Sequence, residues 1–254
     1  MFFGLEKYLL YVPQRALEAT PAVEGLAYED VWFPARDGVK LHGWFVPSPG
    51  AEFTVVWFHG NAGNISHRVN NLKYLHRLLG VHVFIFDYRG YGQSEGGFSD
   101  LSEEATYHDG MGAVAYVRGR QDVQQTRLVY FGRSLGAAIA VEATRHDPPV
   151  GLILETTFTS VKDMARVVAP YIPLRSFLRI RYDTIAKLPH LHVPILIIHG
   201  DQDEVVPLEQ ARRLLEAANP PKALYTIQGA HHNDTYIVGG ERYFAEWAAF
   251  LRSL

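Results

Sequence analysis

The chain has 254 residues, 48% of them hydrophobic, and a formal net charge of −3. That is enough apolar material for one substantial core, and the charges form neither long runs nor the basic patch that a nucleic-acid surface needs. There is no cysteine, which excludes disulfides, thiolate nucleophiles and cysteine-type zinc sites.

The first 17 residues, MFFGLEKYLLYVPQRAL, are apolar but interrupted by Glu6 and Lys7 and ended by Pro13. A spanning helix needs about 20 apolar residues, and a basic start and a small-residue cleavage site are both missing. Residues 1–25 are therefore expected to be an apolar helical segment. It either packs on the body of the protein or rests on a membrane surface through residues 1–17. The expected location is cytoplasmic, with membrane association as the alternative that the second reading of this segment carries.

Residues 27–47 alternate polar and apolar around a turn at Arg36–Gly38, the pattern of a β-hairpin. TVVWF (54–58) is a continuous apolar run, as in a strand covered on both faces. Ser66 is expected to cap a helix carrying Val69, Leu72, Leu75 and Leu79 on one face, stopped by Gly80. VHVFIFD (81–87) reads as a strand, and Asp100 with Glu103 as a capping box for a helix near 101–118. RLVYFG (127–132) is a strand that leads directly into the small-residue helix LGAAIAVEAT (135–144). VGLILE (150–155), PILIIHG (194–200) and ALYTIQ (223–228) complete a set of eight strands. Pro207 opens a helix with Leu208, Ala211, Leu214 and Leu215 inward. Tyr243, Phe244, Trp247, Phe250 and Leu251 mark an amphipathic closing helix.

This alternation predicts an α/β fold with one mostly parallel eight-stranded sheet flanked by helices. The early hairpin supplies an antiparallel strand. Residues 26–254 form a single catalytic domain. The one long interval, 156–193, is short for a separate lid, so at most a small cap and no large lid domain is expected there.

Gly132-Arg133-Ser134-Leu135-Gly136 has the G-x-S-x-G form. Its setting, after a buried strand and at the start of a helix, is that of a nucleophile elbow. The helix N-terminus puts positive dipole under the reacting centre. A serine needs a base, and the base needs an orienting acid. Two later loops offer both: HGDQDEVVP (199–207), with Asp201, Asp203 and Glu204, and GAHHND (229–234), with His231 and His232. Glu155, ending an earlier strand, is a rival acid. The N–H of Leu135, just after the serine, is an expected oxyanion donor.

In these motifs the chain resembles the α/β-hydrolases from end to end. More narrowly, it resembles the branch that includes membrane-associated protein depalmitoylases and their bacterial esterase relatives. The matching pieces are HGNAGN (59–64), DYRGYGQSEG (87–96), GRSLGAA (132–138), LILETTFTS (152–160), HGDQDEVVP and GAHHND, in family order. The resemblance implies Asp203 as the acid, His232 as the base and Asn61 as the second oxyanion donor. It makes Asp201 a loop brace. His231 departs from the pattern, since relatives often have glycine there. Asp87, Arg89, Ser94 and His59 read as braces of their loops.

The expected activity is serine carboxylic ester hydrolysis through an acyl-enzyme, on short- to medium-chain acyl esters of small molecules. Phe158, Tyr171 and Tyr236 are candidate substrate contacts. The alternatives are an acyl-protein thioesterase or peptidase, and, in another class, a non-catalytic binding module on the same fold. No cofactor is expected. None of the twelve histidines lies in an H-E-x-x-H arrangement, so no metal is expected either.

Overall fold

The computed structural model describes residues 5–168 and 178–254. Its frame is one eight-stranded sheet. The strands are β1 (Glu29–Pro34), β2 (Lys40–Val46), β3 (Phe53–Phe58), β4 (His82–Phe86), β5 (Arg127–Arg133), β6 (Gly151–Glu155), β7 (Ile195–Gly200) and β8 (Lys222–Ile227). Their order across the sheet is β8-β7-β6-β5-β3-β4-β2-β1. Only the pairs β1–β2 and β2–β4 are antiparallel, so the hairpin's second strand is the one that runs against the rest.

Alternation along the strands divides the core into two layers. On β3, Val56 and Phe58 face one layer with Phe84, Phe86, Tyr130, Leu152 and Ile197. Val55 and Trp57 face the other with Ile85, Phe131, Ile153 and Ile198. The first layer is closed by helices α3 (Glu103–Gly119), α4 (Leu135–His146) and α7 (Leu208–Ala217), the second by α2 (Val69–Leu79) and α8 (Thr235–Ser253). Burial on both faces is the reason the central strands are continuous apolar runs rather than alternating ones.

Two helix starts differ from expectation. Ser66 does not cap α2. It lies inside a short 3-10 turn, Ile65–Arg68, capped by Asn64, whose side chain accepts the N–H of Ser66. Gly80 does stop α2, in the left-handed conformation. The cap of α3 is Ser102, whose hydroxyl accepts the N–H of Ala105, while Asp100 accepts from Gly97. In both places two polar residues compete within one turn, and the tertiary path of the loop selects between them. Helix α8 begins well before its aromatic stripe and breaks its helical geometry at Gly240.

The N-terminal segment is helical only over α1 (Leu5–Leu10). Val12–Pro13 then pairs in parallel with Ala62–Gly63, fastening the start of the chain to the loop after β3. Tyr8 and Leu9 are exposed, whereas Tyr11 is buried. No helix of the described residues is long and apolar enough to cross a membrane. The interval after β6 holds helices α5 (Val161–Val168) and α6 (Thr184–Lys187).

Candidate active site

The polar residues singled out in the sequence collect where the parallel strands end. The loops after β3, β5, β7 and β8 meet at this carboxyl edge. There the chain order reverses between the neighbours β3 and β5, the place where open α/β sheets form a crevice.

Ser134 stands between β5 and α4 with φ 52° and ψ −118°, a strained backbone that non-glycine residues seldom adopt. The turn is held from below by its own N–H, which donates to the Glu155 carbonyl at 2.8 Å. Glycines flank it for steric reasons: a Cβ at Gly136 would meet the carbonyls of Phe58 and His59, and one at Gly132 would meet the backbone of α4.

His232 reaches Ser134. Its Nε2 lies 3.2 Å from the Ser134 Oγ, and its Nδ1 lies 2.8 Å from Asp203 Oδ2. Both His232 and Asp203 are buried, and Ser134 is half-buried. The other Asp203 oxygen accepts the backbone N–H groups of Val205 and Val206, at 2.9 and 2.8 Å. Burial opposes the charge on Asp203, but the side chains of His199 and His232 and the Val206 N–H outweigh it. The carboxyl is thereby held well below the usual carboxylate range. It is ionised at neutral pH and fixed in direction.

The neighbouring candidates point elsewhere. His231 is exposed, and its Nδ1 pairs with Glu204 at 3.0 Å. Asp201 accepts the N–H of Gly229 at 2.7 Å, bracing the two loops against each other. Glu155 is fully buried but does not touch His232; it is ion-paired to Arg133 at 3.1 Å and accepts the hydroxyls of Thr235 and Tyr243.

The loop after β3 lies against the serine turn: a Cβ at Gly60 would be 3.5 Å from both Ser134 Cβ and the Arg133 carbonyl. Asn61 is half-buried, and its carbonyl accepts the Tyr91 hydroxyl at 2.7 Å and the Val12 N–H at 3.4 Å. Among the described residues, neither the N–H of Asn61 nor that of Leu135, at the first turn of α4, is used in an internal hydrogen bond. His59 is fully buried, on the Gly60 carbonyl at 2.6 Å and 3.4 Å from Asp87. Arg89 forks between Asp37 and Asp109, and Ser94 donates to the Asp87 carbonyl. Arg68 donates to the Ala62 carbonyl at 2.6 Å, and burial, with Arg133 nearby, pushes it down to about 10.

Of the candidate substrate contacts, Phe158 is buried in the core layer with Leu154 and Val161. Tyr236 is half-buried and leans towards Tyr74, with ring centres 6.3 Å apart. Tyr171 lies outside the described residues. Among the described residues, no group of three or more His, Asp or Glu is placed to hold a metal ion.

Two residues near the site were missed in the sequence. Arg133 was passed over as the variable position of G-x-S-x-G, although an arginine between a buried strand and a buried turn needs partners. Tyr91 looked like part of a glycine-rich loop, and no local signal ties it to Asn61.

Comparison with known proteins agrees with this geometry. Residues 50–174 match the family model described as serine aminopeptidase, S33, and residues 130–233 match that of serine hydrolase (FSH1). The chain is 34% identical to the alpha/beta hydrolase domain-containing protein WAV2 of Arabidopsis thaliana, over 99% of its own length and 89% of that protein's. It is 35% identical to protein bem46 of Schizosaccharomyces pombe, covering 98% of itself and 86% of that protein. The fold is shared with the Pyrococcus furiosus esterase Pf2001, with a TM-score of 0.79 at 21% identity, covering 96% and 98% of the two chains. Likeness along nearly the whole chain, on a sheet of this order with its serine at this turn, makes the protein a member of the α/β-hydrolase family and a serine hydrolase.

Proposed function

We propose that the protein cleaves carboxylic esters of short- to medium-chain acids through an acyl-enzyme formed on Ser134. The reading rests on one observation above others: a single imidazole, that of His232, lies 3.2 Å from the Ser134 hydroxyl and 2.8 Å from the Asp203 carboxylate.

In this mechanism His232 accepts the hydroxyl proton as Ser134 attacks the ester carbonyl, and Asp203 stabilises the imidazolium. The oxyanion is held by the N–H groups of Asn61 and Leu135, each worth about 3 kcal/mol by the cost of removing such donors. His232 then protonates the leaving alkoxide, which departs as the alcohol. A water deprotonated by the same imidazole attacks the acyl-enzyme, and collapse of that adduct releases the acid and restores Ser134. Phe158 and Tyr236 are assigned to the acyl-binding side. The shortness of the interval 156–193 favours shorter chains, and the resemblance to esterases supports an oxygen ester.

The test is fluorophosphonate labelling of wild type beside Ser134→Ala, with turnover of p-nitrophenyl acetate, butyrate and laurate and of butyryl thioester. Labelling and turnover lost together in the variant, with butyrate preferred to laurate, is the expected result. Thioester turnover far above that of the matched ester would replace the ester reading with a thioesterase. A wild type that neither labels nor turns over any substrate would point to a binding module.

A further inference from the structure

The residue just before the nucleophile is a buried arginine, and a guanidinium out of water requires strong compensation. Arg133 finds it in two directions. Its Nη2 donates to the main-chain carbonyl of His232 at 2.6 Å and to Asn233 Oδ1 at 3.3 Å. Its Nε lies 3.1 Å from Glu155 Oε1. Arg133 and Glu155 are register partners at the carboxyl ends of β5 and β6, so the parallel ladder itself sets them side by side. Glu155 is tied in turn to Thr235 in the first turn of α8 and to Tyr243 further along it.

The circuit closes on the nucleophile, because the Glu155 carbonyl accepts the Ser134 N–H at 2.8 Å. One residue therefore touches Ser134 through its main chain and, through Arg133, the main chain of His232. From this we infer that Arg133 and Glu155 are positioning residues that fix the His232 loop relative to Ser134. The inference rests on the Ser134–His232–Asp203 reading and adds a role for the two charges that reading leaves unused.

A brace that merely stabilised the fold would not alter the acid–base behaviour of the site, whereas this pair lies beside the base. The charged and titratable groups around His232 are Asp203 with His199 behind it and Arg133 with Glu155 behind it, with Arg68 and Tyr236 near Arg133. Glu204 and Asp234 are engaged by His231. Removing the cation of Arg133 leaves Glu155 to favour the imidazolium, and removing the charge of Glu155 leaves Arg133 to oppose it. The two single variants should therefore move the acid limb of the kcat/KM profile in opposite directions.

The experiment compares Arg133→Met, Arg133→Lys, Glu155→Gln and Ser134→Ala with wild type. It reads kcat and KM on p-nitrophenyl butyrate, the pH profile of kcat/KM, the rate of fluorophosphonate inactivation and the melting temperature. Arg133→Met is expected to lower kcat about 10- to 100-fold with little change in KM, the scale of a misplaced catalytic group. Fluorophosphonate inactivation should slow in parallel, and Arg133→Lys should recover part of the loss. The acid limb should move to higher pH in Arg133→Met and to lower pH in Glu155→Gln.

A folded Arg133→Met with wild-type kcat would overturn the inference, as would a loss confined to KM or limbs that stay in place. If Arg133→Met does not fold, Glu155→Gln, nearly the same shape, decides by its limb alone. Ser134→Ala separates the two failures. If it still turns over ester, the proposed chemistry fails; if it is dead while Arg133→Met is normal, only the positioning role fails.

Discussion

The two halves of the site around Ser134 are fastened by different means. The half around His232, the proposed base, is held by buried charge: Asp203 under His232, and Arg133 on the carbonyl of His232 with Glu155 behind it. The loop after β3, the proposed oxyanion half, is held mainly by neutral groups and borrowed backbone, with Arg68 on its Ala62 carbonyl and Asp87 on its Ile65 N–H as the charged contacts. The Asn61 carbonyl accepts from Tyr91 and Val12, the Gly63 carbonyl from Gln14, and the Asn64 side chain donates to the carbonyls of Gln14 and Ala16. A base must change its charge during turnover, so nearby ions are needed to set its energy in both states. An oxyanion donor keeps its charge and needs only a fixed position, which main-chain hydrogen bonds provide. The first half is assembled from strand ends close together in the sheet; the second depends on residues 11–16, remote in sequence.

The largest effects should come from breaking the charged half. Asp203→Asn should lower kcat about 10⁴-fold, because the imidazole loses its orienting acceptor; steady-state turnover of p-nitrophenyl butyrate measures it, and near-normal turnover would return the acid's role to another carboxylate. The neutral half should fail more gently. Removing residues 1–14 takes the Val12 and Gln14 hydrogen bonds off the oxyanion loop. A fall of about 10²-fold in kcat is expected, together with a lower melting temperature, and an unchanged kcat would show that the loop holds itself.

Tyr91→Phe subtracts a single hydrogen bond from Asn61. A loss of about tenfold or less is expected, in line with the roughly 1 kcal/mol net worth of such a bond, and it should fall on kcat rather than KM. The pH profile sharpens the contrast further. Asp203 is held well below the usual carboxylate range, so it stays ionised while the site loses activity on the acid side. The acid limb of kcat/KM should then fall about tenfold per pH unit, a single-proton slope, and a two-proton slope would mean that Asp203 titrates with the base. By linkage, a depressed carboxyl stabilises the fold above its unfolded value, near 4, and that contribution is lost as pH falls through its folded value. The smallest effect belongs to His231→Ala. This imidazole is exposed and paired with Glu204, so activity should stay within about twofold, as for most surface changes; a loss of orders of magnitude would exchange the roles of the two histidines.

What could be read in the sequence follows from range. The strands were legible because apolar runs covered on both faces are a local signal, and β3, β5, β6 and β7 were placed to within a residue or two. The serine turn was legible because its strain demands small neighbours in a fixed pattern. The helix start at Ser66 differs because Asn64 caps a 3-10 turn that precedes α2, and the one at Asp100 because Ser102 offers an equally good cap nearby that only the loop's path selects.

The sequence by itself thus determined the alternation of buried strands and helices, the tight turn at Ser134 and two loops supplying acids and histidines. These depend on hydrophobic period and backbone strain, both local. The family resemblance singled out Asp203 and His232, but only the tertiary structure shows the contacts: Asp203 rather than Glu155 stands beside His232, and His231 turns away to Glu204. Only it joined Val12 and Tyr91 to Asn61 and Arg133 to the carbonyl of His232. Those pairings are between residues tens of positions apart, brought together by strand order and register, and a buried polar group shows what it needs without showing which distant residue will supply it.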